Sequence, residues 1–196
     1  MTLFSAEDGN TPLSAEEQDD LIPNLATREE LNEWERQNIL KAYGWALNEK
    51  HIDRRDPLTE PYVRELHRRM FDQTWKWAGR YRTTEKNIGI PVHQIQESLA
   101  ALLGDARYWL GNRSFAPDEI AVRLHHRLVF IHPFANGNGR HARLMADLLA
   151  RRQGRPVFSW GGAELVKAGD FRRRYIDALR AADRNEIEPL LEFARS

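Results

Sequence analysis

The sequence predicts an all-α fold with one small β element, and three observations carry that reading. Apolar residues recur at helical spacing through most of the 196 residues. Helix start and stop signals bound those runs. Only residues 80–91 break the pattern, with β-branched residues around a polar middle. The length is that of one domain with a small appendage at most, enough to bury a real core.

Composition narrows the class. Apolar residues make up 41% and charged residues 30% of the chain, ordinary values for a soluble globular protein. The 29 basic and 29 acidic residues cancel, which gives no support to general nucleic-acid binding. The absence of cysteine excludes a disulfide framework and thiolate metal sites, and suits a reducing cytoplasm. The first twenty residues are acidic and lack the basic and apolar regions of a signal peptide. No apolar run is long enough to span a bilayer, so no membrane partner is expected.

The elements follow in order. Residues 1–26 are polar with scattered apolar positions and read as an arm, disordered or docked in extended form. Residues 27–54 form an N-terminal helical unit, a candidate regulatory element. Thr27 and Glu30 have capping-box spacing, Leu31, Trp34, Asn38 and Tyr43 follow, and the helix reaches about residue 48 with an interruption at Gly44. Residues 55–196 form the core. Pro57 and Pro61 open a helix carrying Val63, Leu66, Met70, Trp75 and Trp77, which Gly79 ends. Arg80 to Pro91 reads as a short hairpin or flap. Ile95, Leu99, Leu102 and Trp109 mark the next helix, closed by Gly111-Asn112. Pro117-Asp118 opens another, with Ile120, Leu124, Leu128 and Ile131 on one face, and Pro133 stops it at His132. Leu144, Met145, Leu148 and Leu149 mark a helix ending at Gly154. Residues 156–160 are extended, and helices are expected over 163–182 and 186–195.

The chemistry concentrates in Ile131–Arg143, a turn between two helices. Gly137 and Gly139 permit positive φ and close approach of a ligand to the backbone. Consecutive N–H groups at the start of the following helix form an anion-binding nest. Arg140 and Arg143, three apart, project from one side of the first turn and suit a polyphosphate. Such cations oppose the helix dipole unless an anion joins them. His132 ends the preceding helix, and its ordinary pKa of about 6.5 makes it a usable base. Each residue alone has a plain structural reading: Asn-Gly is a turn, helix arginines are solvated, and a lone histidine packs. Their convergence on one loop argues for a site.

The string HPFANGNGRHAR, residues 132–143, resembles the signature of Fic proteins: His, any residue, Phe, any residue, Asp or Glu, Gly-Asn-Gly-Arg, two residues, Arg. Seven of its eight fixed positions match: His132, Phe134, Gly137, Asn138, Gly139, Arg140 and Arg143, with Asn136 the exception. Gly79–Thr83 resembles the β-hairpin that precedes the motif in that family, and the resemblance spans roughly residues 55–180, nearest to the mobile mystery protein B group.

The resemblance implies a Fic-type helical bundle with a small β-hairpin flap. It implies a protein adenylyltransferase that moves AMP from ATP to a Tyr, Thr or Ser hydroxyl of a target protein, releasing pyrophosphate. His132 would be the general base. Gly137, Asn138 and Gly139, including the Asn138 side chain, would hold phosphate oxygens, and Arg140 and Arg143 the β- and γ-phosphates. Phe134 would be buried. Arg82, Thr83 and Thr84 of the flap would dock the target. Position 136 usually helps to hold Mg²⁺; Asn136 brings an amide oxygen without charge, so weaker Mg²⁺ binding is expected.

Many relatives carry an inhibitory helix whose glutamate pairs with the second motif arginine, here Arg143. That pattern is absent, since Leu31 stands where its glutamate would. Glu35, Glu30 and Glu33 are the candidates to replace it, against the reading of a solvated acidic face; a separate antitoxin chain is another route to control. Three other functions stay open. Doc-type phosphotransfer usually goes with Ala and Lys in place of Gly137 and Gly139. A nucleotide- or partner-binding protein without turnover is a second. A zinc hydrolase built on His125, His126, His132 and His141 is a third, with no carboxylate at ligand spacing.

Overall fold

A computed structural model of the chain describes residues 12–48, 52, 54–162 and 168–196. Its helices are α1 (Ala15–Asp19), α2 (Arg28–Ala46), α3 (Glu60–Phe71), α4 (Ile95–Asn112), α5 (Pro117–Ile131), α6 (Asn138–Arg152), α7 (Ala168–Asp183) and α8 (Glu188–Arg195). A 3-10 turn at Val92–Gln94 leads into α4. Residues 1–11 of the expected arm, 49–51 and 53 of the N-terminal unit, and the expected helix start at 163 lie outside the described residues. Among the described residues no helix is long and apolar enough to cross a membrane.

Local signals set the helix starts. The Thr27 hydroxyl accepts the Glu30 N–H at 3.2 Å while the Glu30 carboxylate accepts the Thr27 N–H at 3.1 Å, so the capping box opens α2. Thr59 caps α3 by accepting the Tyr62 N–H, and Pro61 and Pro117 sit in the first turns of α3 and α5. Gly44 does not interrupt α2, which runs through it to Ala46.

The core forms around α5, whose Ile120, Leu124, Leu128 and Ile131 are buried at the predicted spacing. Helix α6 packs along α5 and brings Ala142, Met145 and Leu149 into the same interior. Leu66, Met70 and Phe71 of α3 and Leu99 and Leu102 of α4 complete it, each such side chain contributing about 1.5–3 kcal/mol of transfer free energy. Helix α2 lies on α3, and α8 packs on α7 and α5.

Two segments differ from the sequence expectation. Helix α3 ends at Phe71, short of Trp75 and Trp77. The cause lies on α2: the Asn38 side-chain amide donates to the Arg69 carbonyl at 3.0 Å and accepts the Gln73 N–H at 3.1 Å, drawing the chain out of the helical path. The hairpin over residues 80–91 is not formed. The flap is an irregular loop with one isolated antiparallel bridge, Tyr81 to Phe134. Arg82 is the reason, because its buried guanidinium collects the carbonyls of Thr84 and Ile90 that strand pairing would have used.

Residues 12–22 form a strap over this region. Leu21 pairs with Trp75 in an antiparallel bridge, and the Ile22 N–H donates to the Thr74 carbonyl at 2.8 Å. The Glu17 carboxylate receives the Lys86 ammonium and, at 2.9 Å, the Thr84 hydroxyl. The Trp77 indole donates to the Glu17 carbonyl at 3.2 Å.

Candidate active site

His132 caps the C-terminal end of α5 in the left-handed region, at φ 54° and ψ 58°. Pro133 disfavours the helical region there, and a non-glycine residue held left-handed costs roughly 1–2 kcal/mol. The ring is 5% exposed beneath the flap. Burial first, then the positive charge of Arg82, lower its pKa to about 4, against a backbone hydrogen bond to Val129 that raises it. At neutral pH the ring is therefore neutral and able to accept a proton.

Phe134 anchors the following loop. It is fully buried and stacks on His67 with centroids 3.7 Å apart. His67 holds the loop by hydrogen bonds as well. The Gly79 N–H donates to His67 Nδ1 at 3.0 Å, which leaves the proton on Nε2 to donate to the Asn136 carbonyl at 3.0 Å. The Asn138 side chain is spent on the loop: its amide donates to the Phe134 carbonyl at 2.8 Å and accepts the Phe134 N–H at 2.9 Å. With the side chain so engaged, it is the backbone N–H of this residue that is left to face an anion.

Gly137 is the N-cap of α6 at φ +78°, and no side chain caps the helix. The first intrahelical bond here runs from the His141 N–H to the Gly137 carbonyl, so the N–H groups of Asn138, Gly139 and Arg140 have no partner within the helix. Glycine is required at 137, because a Cβ there would lie 2.4 Å from the Phe71 ring. The nest, His132, Arg140 and Arg143 all line one cavity of about 900 Å³, which continues between α5 and α7 past Val129, Tyr175 and Leu179.

The two arginines have different surroundings. Arg140 lies over the Phe71 ring at 5.0 Å and pairs with Glu35 of α2, Nη1 to Oε2 at 2.5 Å. The other Glu35 oxygen accepts the Trp75 indole N–H at 2.8 Å, and the carboxylate is buried at 6% exposure. Arg143 lies over the Tyr175 ring at 4.4 Å. Glu35 thus meets the first motif arginine rather than the second. Glu30 serves the α2 cap and Glu33 pairs with Arg36 on the surface, so neither reaches the cavity.

Residues 57–150 match the family model described as Fic/DOC family. The chain carries a Fic domain. It is 30% identical over 151 residues to protein adenylyltransferase Fic of Nematostella vectensis, covering 75% of this chain and 34% of that protein. The chain thus spans about a third of the length of the curated relatives it matches. Among solved structures, Fic-1 of Caenorhabditis elegans aligns with a TM-score of 0.62 at 25% identity, over 91% of this chain and 51% of that one. The BepC protein of Bartonella tribocorum, solved with bound AMPPNP, aligns with a TM-score of 0.65 at 19% identity, over 93% and 97%. The helical bundle is the one these structures share.

Asn136, where the resemblance implies a metal ligand, is not disposed to hold Mg²⁺ by itself. The Asn136 side-chain oxygen accepts the Gly137 N–H at 2.6 Å and faces the Arg140 guanidinium at 3.3 Å, so its lone pairs are turned onto the chain beside a cation. Any Mg²⁺ here would enter on the phosphates of the nucleotide, as part of the substrate.

Of the flap residues expected at the target, Arg82 is buried and Thr84 is bonded to the strap, while Thr83 is exposed. The remaining histidines are dispersed. His125 is hydrogen-bonded to the Tyr175 hydroxyl, His126 to Asp183 and His141 to the Val63 carbonyl. Among the described residues no three His, Asp or Glu side chains converge on a metal position. Sequence reasoning missed His67, Phe71, Tyr175 and Trp75. All four lie far from the motif in sequence, and no local signal marks them.

Proposed function

We propose that the chain is a protein adenylyltransferase taking ATP, with its Mg²⁺, and a hydroxyl of a target protein. The observation that carries this reading is the convergence of His132, the open N-terminus of α6, Arg140 and Arg143 on one cavity. The names of the curated relatives support it. In the reaction, the target Tyr, Thr or Ser oxygen forms a bond to the α-phosphorus. The α–β bridging bond breaks and pyrophosphate leaves. His132 accepts the hydroxyl proton. The N–H groups of Asn138, Gly139 and Arg140 and the two guanidinium groups stabilise the phosphate charge. Opening the flap to admit a target would rehydrate the His132 ring and raise its basicity toward the ordinary value.

Glu35 is the inhibitory element of this proposal. Its carboxylate occupies Arg140 and would repel a triphosphate, so the form described is a resting one. The flap around Thr83 and Thr84 is the proposed target contact once the strap yields. The likeness to the mobile mystery protein B group extends the proposal to a cytoplasmic enzyme of mobile elements, with an antitoxin chain as a further restraint. The intact Gly137-Asn138-Gly139 favours nucleotidyl transfer over Doc-type phosphotransfer.

The test supplies Mg²⁺, a cell lysate and ATP labelled on the α- or the γ-phosphate to the protein and its Glu35→Gly form, each with and without His132→Ala. Protein labelling from the α-phosphate that disappears with His132→Ala is expected. Labelling from the γ-phosphate alone would make the chain a phosphotransferase, and nucleotide binding without any labelling would leave a binding protein.

A further inference from the structure

We infer that Arg82 is a positioning residue for His132, clamping the flap loop onto the ring and fixing the left-handed backbone that aims it. The inference deepens the reading of His132 as the base and rests on it. The Arg82 side chain is wholly buried, which removes it from any target surface. Its Nε donates to the His132 carbonyl at 2.7 Å, one Nη to the Thr84 carbonyl at 3.0 Å, and the other to the Ile90 carbonyl. Its own backbone N–H donates to the Pro133 carbonyl at 2.9 Å. One side chain thus ties the end of α5 to both sides of the flap loop.

Two features make arginine specific to this role. The three carbonyls are engaged by a planar fork, a geometry an ammonium cannot reproduce. The cation also sits at the C-terminal end of α5, where the helix dipole favours positive charge. Its nearest acid, Glu85, is 3.5 Å away and largely exposed, so the carbonyls do most of the solvating. The loop so closed lays Gly89 on the base. A Cβ at Gly89, where φ is +97°, would stand 2.6 Å from the His132 Cβ and 3.1 Å from an Arg82 nitrogen. Arg82 and Gly89 are therefore two handles on one closure, in contact with each other and with His132.

The experiment reads access to each imidazole directly. The purified 196-residue chain and its Arg82→Gln, Arg82→Lys and Gly89→Ala variants are treated with diethyl pyrocarbonate at pH 7, and the modification rate at each histidine is mapped by mass spectrometry. His93, which is exposed, reports the reagent, and the fully buried His67 and His141 report global unfolding. The expected result is a rise of about tenfold or more at His132 in all three variants, with His67 and His141 still protected. An unchanged His132 rate would overturn the clamp. So would a parallel rise at all buried histidines, which would make Arg82 a general structural support. Full protection in Arg82→Lys would overturn the fork in favour of charge alone. The α-phosphate labelling assay on the same variants should lose kcat with KM for ATP retained. If neither the parent protein nor its Glu35→Gly form labels anything, the adenylyltransferase reading fails while the access result still stands or falls by itself.

Discussion

Glu35 shows how much one carboxylate decides. Its two oxygens hold the Trp75 indole and the Arg140 guanidinium, so a substitution acts on structure and on the anion site together. Glu35→Gln separates the two, since an amide oxygen still accepts from Trp75 while the charge is gone. ATP affinity is expected to rise about tenfold, equivalent to roughly 1.4 kcal/mol, as measured by titration calorimetry. An unchanged affinity would remove Glu35 from the control of the site. Glu35→Gly, by contrast, should also lower the melting temperature, because a buried indole N–H loses its partner at a cost of about 1–3 kcal/mol. Asn136 makes the complementary prediction. Asn136→Asp adds a charged ligand beside the phosphates and should lower the Mg²⁺ concentration needed for half-maximal labelling. No shift in the Mg²⁺ curve would mean that residue 136 has no part in metal use.

The element that matters most is the turn joining α5 to α6. Gly137→Ala there meets both a positive φ and the Phe71 ring, and should destabilise the fold by about 2–4 kcal/mol, read as a lowered denaturation midpoint. A midpoint within error of the parent would show that the turn relaxes freely. This turn was legible in the sequence because its determinants are local: Pro133 ends α5, Gly137 opens α6, and the arginines follow at helical spacing. The flap was not. Its β-branched residues speak for pairing, but one buried arginine gathers the carbonyls, and nothing in residues 80–91 announces that Arg82 points inward. The end of α3 was equally hidden, since the Asn38 amide that ends it lies on another helix. Glu35 stood among three acidic candidates on α2. Only the fold, which brings Arg140 to it from 105 positions away, separates it from Glu30 and Glu33.

At the scale of the whole molecule, buried neutral histidines tie stability to pH. Burial lowers the pKa of His132 and His141 to about 4, and lowers His67 and His125 also. A folded pKa below the unfolded value of about 6.5 means the unfolded chain binds more protons on acidification. The stabilisation is therefore complete above about pH 6.5 and is lost as the pH falls toward 4, by about 2 kcal/mol each for His132 and His141 at pH 5. A melting temperature that drops steeply between pH 7 and pH 5 is the expected result, and a flat profile would contradict the burial of these rings. The strap has a consequence of another kind, for the order of assembly. Its contacts join residues 12–22 to residues 74–86, so they close a long loop and wait on α2 and α3 being in place. What assembles last on so few anchoring bonds opens first. The Ile22 amide should thus exchange its hydrogen ahead of those of α5 and α6, and the flap that Glu17 holds should become accessible by local opening while the rest of the bundle stays folded.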